Sequence, residues 1–376
     1  MAPSRLAGNV PFLDLRAGFD LIRDEVLADI ADSLATGAFT NGPAVREFEQ
    51  AFAEYCGVVH CVGLASGLDA LRLALQALEL ESGDEVLVPA MTFIATWEAI
   101  SQAGAVPVPV DVSPLDYNID IGGAGSAVAE RTRAIVPVHL YGQMADPDVL
   151  SSFAEKHGLT VVEDACQAHG ASRQGVRAGS AGDAAAFSFY PSKNLGAMGD
   201  AGALVTSDQE LAGRVRALRE HGQAKKGQHA SIGWTARLDT IQAAVLLRKL
   251  PMLDRWNDER RAAADWYAHA FEEIGDLTLP VVAYDSVPVW HLYVVRTVDP
   301  VGLAGHLRDR GIQTGRHYLE PPHLSQAYES LGYRSGAFPI AEGLAQEGLS
   351  LPMFPGISES QLEAVAEGVR SWFGNG

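Results

Sequence analysis

The sequence predicts an α/β protein: a largely parallel sheet covered by helices on both faces, followed by a smaller α+β domain. Three observations predict it. Short apolar runs alternate with amphipathic stretches from residue 61 to 205, and strands that alternate with helices pair in parallel. Those runs read as buried strands, as a sheet covered on both faces requires. Beyond Leu250 the pattern changes to a long helical stretch rich in Trp and Tyr. That change sets the expected domains at 1–250 and 251–376.

Residues 12–55 are mostly helical, with Phe48, Phe52 and Tyr55 on one face at i, i+4 and i+7. Residues 36–43 between them form a Gly-punctuated loop. The alternation then gives strand 61–64, helix 68–80, strand 85–88, helix 94–103 and strand 106–112. A polar, Gly-rich segment covers 121–130. Strand 134–140, helix 148–157 and strands 160–163, 184–190 and 203–205 follow. Residues 209–220 are helical, 221–229 form a polar loop, and 240–250 is a helix that Pro251 bends or ends. The second domain has helix 253–274, strand 289–296, helix 301–310, an extended segment 313–318 and a last helix 358–373.

Composition excludes several classes. The chain has 376 residues, 28 basic against 47 acidic, and a net charge of −19. Nucleic acid and anionic membrane surfaces call for a basic face, so neither is expected as a partner. A small phosphate ligand needs only one donor-rich pocket and stays open. Cys56, Cys61 and Cys166 lack CxxC spacing, which fits a reduced, cytoplasmic protein. Residues 1–10 lack the apolar core of a signal peptide, and no apolar run approaches ~20 residues. No ligand set with metal spacing is present, since His317 and His323 lack a third partner.

In open α/β sheets, ligands bind beyond the carboxyl ends of strands, so the residues just past each run are the candidates. After 61–64 come Ser66 and Gly67, opening a helix whose first N–H groups suit an anion; taken alone, Ser66 reads first as a plain helix cap. After 85–88 comes Phe93, either core or a ring-stacking face. After 160–163 comes Asp164, a carboxylate that needs a cation or donors, or else an N-cap. After the run beginning at 184 come Ser188 and, past Pro191, Lys193. Lys193 is one of five lysines in the chain. At the mouth of a buried strand its ammonium is desolvated, which favours an amine able to form a Schiff base. A surface loop lysine is the plain alternative. These strand ends match four demands of pyridoxal phosphate: a lysine for the aldehyde, a carboxylate for the ring nitrogen, a stacking side chain and a phosphate cup.

The chain also resembles the sugar aminotransferases of the DegT/DnrJ/StrS group, fold-type-I PLP enzymes. The resemblance rests on Gly83-Asp-Glu-Val86, Thr92-Phe93, Val110-Asp111-Val112, Val136-Pro-Val-His139, Glu163-Asp-Ala165, Phe187-Ser-Phe189, Ser192-Lys-Asn194 and Arg237-Leu-Asp239. It implies Lys193 as Schiff-base lysine, Asp164 at the pyridine nitrogen, Phe93 on the ring and Gln167 near the ring hydroxyl. It puts Ser66, Gly67 and Ser188 in the phosphate cup, with a homodimer whose active sites lie at the interface. Two positions depart from the pattern: Leu68 replaces a frequent Thr, and Thr235 replaces an Asn that reaches the neighbouring subunit's phosphate. Gln167 resembles members acting at C3 or on cyclitols; C4 members often carry His. The implied function is amino transfer from an amino acid, glutamate by resemblance, to a nucleotide-linked keto-deoxysugar. A dTDP sugar aminated at C3 is expected, within natural-product or surface-glycan aminosugar biosynthesis. Segments 36–43, 223–229 and 316–323 are candidates for substrate contact, with Lys225, Tyr318 and His323 singled out. Lys225 and Lys226 read equally as a solvated basic loop. The rival readings are a keto-cyclitol aminotransferase, a sugar dehydratase, which carries His where Lys193 stands, and a PLP-fold regulator without turnover.

Overall fold

The structure is a computed structural model that describes residues 9–374, so the expectation about the first ten residues falls almost entirely outside it. Seven strands form the central sheet: β1 (His60–Leu64), β2 (Glu85–Pro89), β3 (Val106–Val110), β4 (Thr132–Ile135), β5 (Thr160–Asp164), β6 (Ala184–Ser188) and β7 (Gly202–Thr206). Their spatial order is β1-β7-β6-β5-β4-β2-β3. All pairings are parallel except the two made by β7, which runs antiparallel between β1 and β6. An antiparallel neighbour needs no crossover helix, so a loop alone joins β6 to β7. Lys193 lies on that loop.

Helices cover both faces. On one side the helix Gly67–Ala77 and Trp97 and Ile100 pack with Val62, Val86, Val162 and Ala186. On the other, Phe48 and Phe52 of the helix Pro43–Cys56 meet Phe187 and Phe189, with ring centroids 5.0–5.2 Å apart and edge-to-face. Alternate residues of β6 point to opposite faces, which is why Ala184 and Ala186 join one core and Ala185 and Phe187 the other. The helix Leu253–Ala270 starts in the second of these cores at Leu253 and ends in a third, with Ala263, Ala264 and Tyr267 against Leu303, Val295 and Val369.

Three local readings need correction. The strand expected over 134–140 stops at Ile135, because Pro137 has no N–H to donate. The loop 221–229 contains a small hairpin, Gln223–Lys225 with Gln228–His229. The sequence pattern also missed the helix Pro339–Glu347 and the strand Gly348–Leu351, which pairs antiparallel with Tyr293–Arg296. No helix among the described residues is long and apolar enough to cross a membrane.

The sheet pairing brings the functional ends together. Leu64 and Ser188 both face Gly202 in register, and Asp164 pairs with Ala186. The carboxyl ends of β1, β5 and β6 therefore meet the amino end of β7 at one edge.

Candidate active site

Ser66 starts the helix Gly67–Ala77 as its cap: its Oγ accepts from the Asp69 N–H at 3.0 Å and donates to Asp69 Oδ2 at 3.2 Å. The hydroxyl is thus already engaged. The N–H groups of Gly67 and Leu68 have no acceptor among the described residues, and they sit at the positive end of the helix dipole. The Leu68 side chain packs on the core, so this position offers an anion only its backbone. The cradle is tight. A Cβ on Gly67 would lie 2.7 Å from both Cys166 Sγ and Ser188 Cβ, and one on Gly202 would lie 2.3 Å from the Ser66 carbonyl. Asp69, whose charge would repel an anion here, is paired to Arg72, and Arg72 stacks 3.9 Å over Trp234.

Asp164 ends β5 and is 6% exposed. Its Oδ2 accepts from Thr96 Oγ1 at 2.7 Å and its Oδ1 from the Cys166 N–H at 3.1 Å. Thr92 Oγ1 lies 2.8 Å from Thr96 Oγ1. With the Thr96 proton on Asp164, Thr92 is the donor in that pair. The preceding carboxylate, Glu163, points to the other face. It accepts from His139 Nε2 and from the N–H groups of Gly179, Ala181 and Gly182 at 2.7–2.9 Å. Glu163 is satisfied by structure, whereas Asp164 is held with capacity for a further cationic partner.

Lys193 lies on the β6–β7 loop, near enough to Cys166 and Asp164 for their charges to act on it. Burial pushes its ammonium below the ordinary value of 10.5, with Cys166 and Asp164 pulling the other way. Its Nζ has no hydrogen-bond acceptor among the described residues. Burial, and then Lys193 itself, also holds nearby imidazoles neutral, His169 at about 3 and His317 at about 4. Gln167 is pinned at both ends: Oε1 accepts from the Tyr141 N–H at 2.7 Å and Nε2 donates to Tyr318 Oη at 2.9 Å. The Tyr318 ring lies 5.5 Å from that of Phe93, which is half-exposed over the same space.

Comparison with known proteins agrees with this geometry. The DegT/DnrJ/EryC1/StrS aminotransferase family matches residues 20–370. This chain belongs to that family. A dTDP-3-amino-3,4,6-trideoxy-alpha-D-glucose transaminase of Streptomyces venezuelae is 48% identical over 363 residues, 96% of each chain. The crystal structure of S. venezuelae DesV in complex with a ketimine intermediate superposes with a TM-score of 0.95 at 48% identity, covering 97% of this chain and 98% of that one. The Bacillus subtilis NtdA structure with bound cofactor PMP gives 0.91 at 31% identity, covering 99% and 86%.

The protein is thus a pyridoxal-phosphate-dependent aminotransferase with the fold-type-I architecture. Its own residues fit the cofactor. The Gly67–Gly202 cradle admits an anion that a Cβ would exclude, Asp164 offers a charge, and Lys193 offers an unpartnered, desolvated amine. Thr235, the aminotransferase position expected to reach a neighbouring phosphate, is exposed, with Oγ1 3.0 Å from His221 Nε2. Lys225 is exposed on the small hairpin. His323 is not available to a substrate: it is 1% exposed, its Nε2 meets Glu342 Oε1 at 3.2 Å, and its ring packs on Phe338. Sequence reasoning missed Thr96, the Tyr141 N–H and Asn194. Thr96 had one available signal: it stands one helical turn after Thr92 on a helix that opens at the site.

Proposed function

We propose that this aminotransferase moves the amino group of L-glutamate to C3 of a dTDP-linked keto-deoxysugar, as a cytoplasmic homodimer in aminosugar biosynthesis. The observation that carries the reading is the 48% identity, over 96% of both chains, to a transaminase named for a dTDP-3-amino sugar. Gln167, where C4 enzymes often carry His, supports C3. The loop bearing Thr235 presents Ile232, 94% exposed, and Trp234, which favours its burial by a second copy.

When bound, pyridoxal phosphate supplies the aldehyde that Lys193 meets and a ring that takes up electrons. The Gly67 and Leu68 N–H groups, with Ser188, would hold its phosphate. Phe93 would cover one ring face, and Gln167 would meet the ring hydroxyl. Asp164 would place its charge at the ring nitrogen, with Thr96 and the Cys166 N–H fixing its orientation. Lys193 Nζ, whose charged form burial disfavours, would take the proton from the donor's α-carbon and return one to the sugar carbon in the second half of the cycle.

Incubation with L-glutamate should convert the purified enzyme to its pyridoxamine form. Addition of dTDP-3-ketosugar should then give the amine by mass spectrometry, faster than dTDP-4-ketosugars, UDP or GDP analogues or a keto-cyclitol. Preference for a 4-keto or cyclitol acceptor would overturn the C3 reading. Lys193→Ala should lose turnover and the visible absorbance of lysine-bound cofactor; turnover at the normal rate would remove Lys193 from its role.

A further inference from the structure

Asn194 follows Lys193 directly and is 4% exposed. Its Nδ2 donates to Asn257 Oδ1 at 2.9 Å and to the Val289 carbonyl at 2.8 Å. Its Oδ1 accepts from His291 Nδ1 at 3.2 Å. The Val289 carbonyl can only accept, so it fixes which end of the amide is nitrogen, and that places the His291 proton on Nδ1. Asn257, 1% exposed, donates its own Nδ2 to the His169 carbonyl at 2.8 Å. Both N–H groups and the oxygen of the Asn194 amide are engaged, and both asparagine side chains are buried.

The network joins separate parts of the chain. Asn194 belongs to the lysine loop, Asn257 to the helix Leu253–Ala270, Val289 and His291 to the approach of the strand Tyr293–Arg296, and His169 to the turn after β5. The lysine loop is therefore located against the helix Leu253–Ala270 as well as against the sheet. The network is also uncharged: burial, then Lys193, holds the His291 imidazole neutral. Neutral bonds can anchor the loop without offering Lys193 a competing carboxylate, which would raise its pKa.

We propose that Asn194 and Asn257 are positioning residues that set the Lys193 amine against Asp164 by tying its loop to the helix Leu253–Ala270. Loss of Asn257 leaves a buried Asn194 N–H and the His169 carbonyl without partners, a situation that relaxes by movement of the loop. A shift of about 1 Å in a catalytic group can cost about 100-fold in rate. The inference rests on Lys193 as the reacting amine.

The test compares Asn257→Leu, which keeps volume but not bonds, with Asn257→Gln, which keeps an uncharged amide with an acceptor for Asn194 and a donor for the His169 carbonyl. Cofactor-free protein is labelled by formaldehyde and borohydride across pH, and the extent at Lys193 is read by peptide mass spectrometry. In Asn257→Leu the midpoint of labelling should move up by about one unit or more, as the freed amine reaches water. In the holoenzyme its kcat in the glutamate half-reaction should fall about 100-fold, with KM within about twofold. Asn257→Gln, which adds no charge, should recover part of both. Unchanged labelling and kcat in folded Asn257→Leu would overturn the proposal, as would losses matched by the unfolded fraction and not recovered in Asn257→Gln. If Asn257→Leu does not fold, Asn257→Ser takes its place with the same two outcomes. Lys193→Ala separates the failures: its retained turnover would sink the role of Lys193 and leave the network a purely structural one.

Discussion

Thr96 donates to Asp164 Oδ2 at 2.7 Å and stands 68 residues from it in sequence. A hydrogen bond to a charged group contributes about 1.5–3 kcal/mol. Thr96→Val keeps the shape and removes the donor, so one carboxylate oxygen loses its fixed direction. The expected result is a kcat lower by about 10-fold in the glutamate half-reaction, each tenfold being about 1.4 kcal/mol, with the protein still folded. Asp164→Ala should lose far more, because it removes the charge itself. Equal rates for Thr96→Val and wild type would show that the Cys166 N–H alone orients Asp164. This scale also shows what sequence can disclose. The places of Lys193, Asp164 and Gly67 at neighbouring strand ends were legible because each follows a buried run directly, and the strand-end rule searches there. Thr96, Asn257 and Tyr141 were not, because their roles come from partners that only tertiary packing supplies. His323 misled for the same reason: its neighbours in sequence suggested a binding segment, and its neighbour in space is Glu342.

At the level of elements, β7 places the cradle proposed for the phosphate as much as β1 does. Gly202 faces Leu64 and Ser188 in register, and a Cβ there would lie 2.3 Å from the Ser66 carbonyl and 2.7 Å from the Gly67 nitrogen. Those are backbone atoms, so no rotamer change relieves the contact. Gly202→Ala should cost about 1–3 kcal/mol of stability through overpacking. It should also weaken cofactor binding by displacing the Gly67 and Leu68 N–H groups. Chemical denaturation with cofactor titration checks both, and wild-type affinity would show that the cradle adjusts freely. The pattern of elements was readable because buried parallel strands are apolar and regularly spaced. Their ends were less so: Pro137 cut one strand short. The strand Gly348–Leu351 escaped because it is four residues long and is stabilised by its pairing with Tyr293–Arg296, a partner that periodicity does not reveal.

The whole molecule carries 19 excess negative charges, yet it buries a lysine with no carboxylate partner among the described residues. Lys249 is 6% exposed; its Nζ donates to the Gly196 carbonyl at 2.5 Å and lies 4.4 Å from the Phe19 ring and 5.5 Å from that of Trp256. It joins the helix Thr240–Lys249 to the lysine loop and the N-terminal segment. Burial lowers its pKa from 10.5 to about 8. Between those values the unfolded chain binds more protons than the folded one, so this group makes stability rise with pH across that window. Below pH 8 the cost of holding the charge is fully present; above 10.5 it is gone. Lys249→Met keeps the apolar stem and removes the titration. Other groups titrate in both proteins, so the difference between them isolates Lys249. The stability of Lys249→Met relative to wild type should therefore decline as pH rises from 8 to 10.5, by about 3 kcal/mol in all. Urea denaturation at pH 7, 8, 9 and 10 measures it. A difference that stays flat would mean that the ammonium is hydrated in the folded protein, and that the ring faces and the Gly196 carbonyl compensate for the lost water.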